Sequence, residues 1–86
     1  MNIVNEFLKK INELLNKEPS DDDFDDFNDL ESWFTKNASV LFGENKEICK
    51  LGDLVQDEIA KISYMEDATK EREEIRKLYE EMLKLV

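Results

Sequence analysis

Apolar residues recur along this chain at intervals of three and four residues, which is the spacing of one face of an α-helix. The pattern is clearest near the start, where Ile3, Phe7, Ile11 and Leu14 share a stripe with polar residues between them. Three further stretches show similar stripes, and none shows the strict alternation of a β-strand. The pattern predicts helices over residues 2–16, 20–42, 45–65 and 68–85.

Helix-breaking and helix-capping residues separate the first three stretches. Pro19 disfavours a helical conformation for the residue before it. Ser20 is followed three positions later by Asp23, which is a capping-box pattern and predicts the start of the second helix. That helix could stop near residues 36–37, but the apolar spacing continues beyond them, so we expect it to run to residue 42 with Gly43 as its left-handed cap. Asn45 is expected to cap the third helix.

Two features of the C-terminal half leave alternatives open. Gly52 predicts a kink or a short break within the third helix. Further along, the polar stretch around Ala68 is compatible with a turn or with one long helix that continues to the C-terminal residues. Asp67 and Thr69 are both acceptable N-cap residues, so we expect a turn there.

Size and composition agree with a helical protein. The chain has 86 residues with only two glycines and one proline, and its hydrophobic fraction of 41% is similar to its charged fraction of 40%. Scarce helix breakers combined with regular apolar spacing favour packed helices over disorder. We predict an all-α fold, a single small domain formed by a compact bundle of three or four helices, with helix 1 packed on helix 2 and on the C-terminal pair.

Residues 20–42 separate into two faces when they are placed on a helix. The apolar face predicts core positions: Phe24, Phe27, Leu30, Phe34, Ala38 and Leu41. The opposite face carries carboxylates: Asp22, Asp25, Asp26 and Asp29. Trp33 lies at the border, either exposed or packed under helix 1 or helix 4. Helix initiation accounts for Asp21 and Asp23, because the helix dipole favours negative charge in the first turn.

The net charge of −10 restricts the class of partner. Such a surface repels nucleic-acid phosphates and anionic membranes, so direct contact with either is not expected. The same field accelerates encounter with a basic protein surface. We therefore expect a protein partner that presents a basic surface.

The residues needed for most catalytic and metal-binding chemistry are missing from this chain. Without histidine there is no imidazole base, no Ser-His-Asp triad and no His-containing zinc site, and Cys49 alone cannot form a CxxC motif. Aligning the acidic run with an EF-hand loop places Asp26 where glycine is required and Ser32 where glutamate is required. We expect no enzyme activity, no cofactor and no metal.

The sequence predicts a cytoplasmic location, in the protein's own cell or in a host cell. A single cysteine indicates a reducing compartment. The N-terminal residues do not form a signal peptide, and no apolar run is long enough to span a membrane. The excess of lysine over arginine, with frequent asparagine and isoleucine, is consistent with an AT-rich genome, a phage or a mobile element.

The leading functional hypothesis is an inhibitor or neutraliser that occludes a basic, nucleic-acid-handling surface of a partner protein, acting as a nucleic-acid mimic. Anti-defence proteins of phages, antitoxins and nuclease-immunity proteins share this size and charge, although no motif here identifies one family. The predicted contact residues are Asp22, Asp25, Asp26, Asp29, Glu31 and Trp33.

A second hypothesis is a helical adaptor, or a homodimeric coiled-coil-like structural or chaperone protein, because helices 1 and 3 have heptad-like stripes. A bacteriocin-type immunity protein ranks lower, since the chain lacks the basic patches that such proteins use.

Overall fold

The computed structural model describes residues 2–86, which form four α-helices and no β-strand. The helices are α1 (Ile3–Asn16), α2 (Asp23–Glu44), α3 (Lys46–Ile59) and α4 (Thr69–Leu83). Neighbouring helices run antiparallel; α1 packs against α2 and α4, and α3 packs against α2 and α4. The predicted all-α bundle is confirmed, and the expected contact of helix 1 with the C-terminal pair is made through α4.

The core is built from the apolar stripes that the sequence predicts. Phe27, Leu30, Phe34 and Leu41 of α2 are buried, and Phe24 and Ala38 pack at its edge. Phe7 of α1 is fully buried and contacts Phe34 with ring centroids 5.3 Å apart. Among residues 2–86, no helix combines the length and apolar character required to cross a lipid bilayer.

Helix α2 begins and ends later than predicted. The Ser20 capping box does not form; the Ser20 hydroxyl accepts a hydrogen bond from the Asp22 N–H at 3.2 Å, and the helix starts at Asp23. At the other end Gly43 stays helical, so the predicted left-handed cap is wrong. The extended backbone of Asn45 ends α2 instead, and its side chain accepts from the Ile48 N–H at 3.1 Å, as predicted for the cap of α3.

Helix α3 is continuous through Gly52, so the short break that the sequence allowed there is absent. The glycine serves close packing instead, since an added Cβ atom would overlap with the Phe34 ring and lie 3.1 Å from Phe7 Cε2. A glycine at this position lets α3 approach the aromatic core of α1 and α2.

Helix α3 ends at Ile59, six residues before the predicted end at Met65. Two turns follow the helix. In one of them the Ile62 N–H donates to the Ile59 carbonyl oxygen. Ile62 is buried there, so its position still matches the apolar spacing of a helix. Met65 has a φ of 67°, which is incompatible with a right-handed helix, and its side chain is exposed. The predicted turn before α4 is present, with Asp67 accepting a hydrogen bond from the Thr69 N–H.

Candidate functional site

A cleft between α1 and α2 is the clearest concave feature around the acidic stretch. The link between the helices contains Pro19 and turns α2 back along α1. At one end of the cleft, Lys17 Nζ lies 2.5 Å from Asp26 Oδ2. At the other end, the Trp33 ring stacks on Phe7 with centroids 5.7 Å apart and planes inclined by 14°. The volume between these contacts is about 270 Å³.

The cleft combines an apolar floor with charged walls. Leu14 and Leu30 form the floor, and Trp33 forms one wall. The charged side chains around it are Lys10, Glu13, Lys17, Asp26 and Asp29. An arrangement of this kind can hold a side chain that has an apolar stem and a charged end, because each part then meets a matching surface.

Two basic side chains already contact the cleft, Lys10 of α1 and Lys17 just after the end of α1. Lys10 Nζ lies 5.5 Å from the centroid of the Trp33 ring, within the range of a cation–π contact. The hydrogen bond and charge of Asp26 raise the pKa of Lys17. Asp29 is exposed and takes part in no ion pair formed among residues 2–86, so its carboxylate can accept a cation from outside.

The structure brings only part of the predicted contact set together. Asp26, Asp29 and Trp33 line the cleft, while Asp22 and Asp25 are exposed outside it on the same acidic face. Glu31 lies about 140° around α2 from Asp26, since five residues advance a helix by that angle beyond one full turn.

Two further predictions about α2 can be compared with the structure. Glu31 is half-buried and accepts a hydrogen bond from Thr35 Oγ1 at 3.0 Å. It therefore lies on a different side of α2 from the other predicted contact residues. Trp33 does lie at the border, half-buried against α1.

Asp23 has a different role from the one the sequence suggested. It was expected to serve helix initiation, but its side chain is buried and forms a bidentate ion pair with Arg72 of α4, with Arg72 Nη2–Asp23 Oδ1 at 2.6 Å and Nε–Oδ2 at 2.9 Å. The Ala68 N–H also donates to Asp23 Oδ2 at 2.9 Å. Burial opposes ionisation of Asp23, but these hydrogen bonds outweigh it and the pKa of Asp23 is lowered. The carboxylate is therefore ionised and fully engaged within the fold.

Arg72 completes this buried cluster. Its remaining nitrogen donates to the carbonyl oxygens of Leu14 and Lys17 at 2.8 and 2.9 Å, which satisfies the end of α1. The guanidinium carbon also lies 5.3 Å from the centroid of the Phe27 ring. Every donor group that faces inward thus has a partner, and the cluster is structural rather than a site for a ligand.

Sequence reasoning missed the cleft residues of α1 and the Asp23–Arg72 pair. Lys17 could have been found, because an antiparallel return at Pro19 places it near the first turns of α2. The only sequence signal for Arg72 is that it is one of two arginines among 12 basic residues, and arginine is the usual partner in a buried bidentate pair.

Cys49 of α3 is buried. Its thiol lies 3.5 Å from the Ala38 carbonyl oxygen, and burial, with a smaller effect of Asp53, raises its pKa. Within residues 2–86, no group of three or more His, Cys, Asp or Glu side chains is arranged to hold a metal ion.

Comparisons with known proteins identify no relative of this chain: no family model matches it, and neither the curated proteins nor the solved structures contain a significant match.

Proposed function

We propose that this chain is a non-enzymatic protein-binding module, an inhibitor or neutraliser of the anti-defence, antitoxin or immunity type. The acidic outer face of α2 covers a basic, nucleic-acid-handling surface of the partner protein. The observation that carries this proposal is the cleft in which Trp33 stands beside Asp29 and Asp26. Acidic residues alone occur on many surfaces, whereas an aromatic ring in a concave site next to a carboxylate without an ion-pair partner is typical of a binding anchor.

In this mechanism a lysine or arginine of the partner enters the cleft. Its aliphatic stem packs on Leu30 and Trp33, and its charged end reaches Asp29. The contact between Lys10 and Trp33 shows that this ring can hold a cation, and an incoming side chain would have to displace Lys10 from it. Asp22 and Asp25, exposed outside the cleft, then face further basic groups and set the orientation of the partner.

Affinity capture with charge-reversed variants tests the proposal. Asp22→Lys combined with Asp29→Lys should abolish capture of a basic partner from the native or host cell, because it reverses two exposed charges without touching the Lys17–Asp26 pair. Capture by the unchanged protein should weaken at high salt, which screens such contacts. The fluorescence of Trp33, the single tryptophan, should shift when the partner binds.

The matched control reverses two exposed carboxylates of α3, Asp53→Lys with Asp57→Lys. Its change in net charge is the same, so it should retain capture if the face of α2 matters and lose capture if only total charge matters. Capture that survives in the α2 variant, with circular dichroism unchanged in both proteins, would contradict the proposal.

A further inference from the structure

The cleft between α1 and α2 already contains a cation that belongs to the chain itself. Lys10 is half-buried, and its Nζ atom lies 5.5 Å from the centroid of the Trp33 ring. Phe7, one turn earlier in α1, stacks on the same ring. The ring is thus held against α1 in a fixed orientation, and Lys10 covers part of the surface on which a side chain of the partner would pack.

Lys10 uses only part of the cleft. It forms no ion pair with any residue from 2 to 86, and neither does Asp29, although both side chains line the same cleft. The neighbouring Asp26 carboxylate is engaged by Lys17. No cation of the chain therefore combines the aromatic ring with the Asp29 carboxylate, and a cation that combines them gains a contact that Lys10 lacks.

Asp29 and Trp33 are positioned for such a combination. They are four residues apart on α2, so one helical turn separates them and their Cβ atoms are about 5–6 Å apart. Asp29 is exposed and Trp33 is half-buried, which leaves the carboxylate open to a group that approaches over the ring. The cleft thus offers a flat apolar surface with two acceptor oxygens beside it.

A guanidinium group fits this surface better than an ammonium group. It is planar and weakly hydrated, and its donors lie in its own plane, so it can stack on a ring and bond a neighbouring carboxylate through two parallel hydrogen bonds. An ammonium group is compact and strongly hydrated. A lysine from the partner would replace Lys10 on the ring by a group of the same kind and gain only the contact with Asp29, whereas an arginine gains at the ring as well.

We propose that the cleft binds an arginine side chain of the partner and that Lys10 is its internal competitor, which leaves the Trp33 ring when the arginine enters. This inference rests on the proposed function and names the residue type that the cleft takes. The apparent dissociation constant equals the intrinsic one divided by the fraction of protein in which the ring is uncovered. Lys10 therefore raises the intrinsic affinity that a basic side chain needs before it occupies the cleft.

Titration of the full chain with two capped tripeptides, Gly-Arg-Gly and Gly-Lys-Gly, tests the residue type. The readout is the fluorescence of Trp33, the single tryptophan, at physiological salt. Each capped peptide carries one positive charge, so the comparison isolates the chemistry of the side chain. The arginine peptide should bind about five-fold more tightly than the lysine peptide, because its planar group stacks on the ring while it bonds the carboxylate.

Lys10→Gln tests the competitor. It should tighten the binding of both peptides by about three- to five-fold, because the ring is then uncovered before the peptide arrives. The ratio between the two peptides should stay the same, since both displace the same residue. The matched control is Lys9→Gln, which makes the same change of charge at an exposed neighbouring position of α1 outside the cleft. It should tighten binding by no more than about 1.5-fold, because salt screens the more distant charge.

The outcomes separate this inference from the proposed function. Equal tightening by Lys10→Gln and Lys9→Gln, or a lysine peptide that binds as tightly as the arginine peptide, would overturn the inference and leave the proposed function standing. If neither peptide changes the Trp33 fluorescence of the wild type or of Lys10→Gln, the cleft takes no basic side chain, and both the inference and the cleft mechanism are contradicted. Circular dichroism of the two variants should match that of the wild type.

Discussion

Gly52 and Gly43 are both helical, but their surroundings differ. Around Gly52 there is no room for a side chain, because an added Cβ atom meets the rings of Phe34 and Phe7. Around Gly43 there is no atom within 4 Å of that position. Replacing Gly43 by alanine therefore tests helix propensity alone. The same replacement at Gly52 also tests the cost of overfilling the core.

We expect Gly52→Ala to lower the free energy of unfolding by about 1–2 kcal/mol, because the steric cost of overpacking exceeds the gain in helix propensity. Gly43→Ala, the matched control, should raise it by about 0.5–1 kcal/mol through propensity alone. Urea unfolding followed by circular dichroism measures both. A stabilised Gly52→Ala protein would show that the close approach of α3 to Phe34 is not rigid.

At the scale of the elements, the Asp23–Arg72 pair is the main polar link between helices. It joins the first residue of α2 to α4, and Arg72 also binds the carbonyl oxygens of Leu14 and Lys17 at the end of α1. A buried pair of this kind contributes little over a well-packed apolar pair, but removing one partner leaves the other charge buried. We therefore infer that its role is to select the arrangement of α1, α2 and α4.

Asp23→Asn should destabilise the protein by about 3–5 kcal/mol at pH 7, because Arg72 is left without a counter-charge. Since the pKa of Asp23 is lower when folded than when unfolded, the stabilisation is fully present above the unfolded pKa of about 4 and is lost as the pH falls through the folded value. The difference in stability between the wild type and Asp23→Asn should therefore narrow below about pH 4.

The control for this comparison is Asp25→Asn, an exposed position two residues along α2, which should change stability by no more than about 0.5 kcal/mol. Urea unfolding between neutral and acidic pH gives both differences. If the wild type and Asp23→Asn differ in free energy of unfolding by the same amount at neutral and at acidic pH, the ion-pair assignment is contradicted.

At the scale of the whole molecule, negative charge is concentrated in one half of the bundle, residues 10–29 and 57–76, which carry 15 carboxylates against six basic residues. These charges repel one another in the folded state. Folding holds these charges closer together than the unfolded chain does, so the repulsion opposes folding. Ion pairs relieve part of it locally, for example Lys17 with Asp26 and Lys61 with Glu58. The excess that remains is on exposed side chains, where salt acts strongly.

We expect the free energy of unfolding to rise by about 1 kcal/mol as sodium chloride increases from low to physiological concentration, because the Debye length falls from about 30 to 8 Å. Asp22→Asn with Asp25→Asn should reduce this salt dependence. Asp53→Asn, among the remaining residues of the chain, whose charges nearly balance, should leave the salt dependence largely unchanged. Stability that falls with added salt would indicate that attractive ion pairs dominate over repulsion.

How much the sequence predicts follows from the range of the interactions involved. The buried faces of α1 and α2 come directly from residue spacing, since helical periodicity depends on residues three and four positions apart. The predicted cap at Asn45 follows from equally local rules. The end of α3 was missed because the turn after Ile59 keeps Ile62 at a helical apolar spacing, although its hydrogen bonds are those of a turn and Met65 has a positive φ.

The candidate site was predicted in part for the same reason. Asp26, Asp29 and Trp33 share one face of α2 by their spacing, so local periodicity groups them correctly. The cleft itself depends on which helix lies beside that face, and its residues Lys10 and Glu13 come from α1. Glu31 was included because it is close in sequence, although the helix turns it away from the others.

By itself, the sequence determined the helical class, the apolar faces, the excess of negative charge and the absence of histidine chemistry, since these depend on composition and short-range spacing. Only the tertiary structure decided which carboxylates are surface groups and which is a core group. Asp23 and Arg72 are 49 residues apart in the chain, and no local pattern distinguishes Asp23 from its acidic neighbours. The packing of α4 against the start of α2 buries that one carboxylate and leaves Asp22, Asp25 and Asp29 exposed.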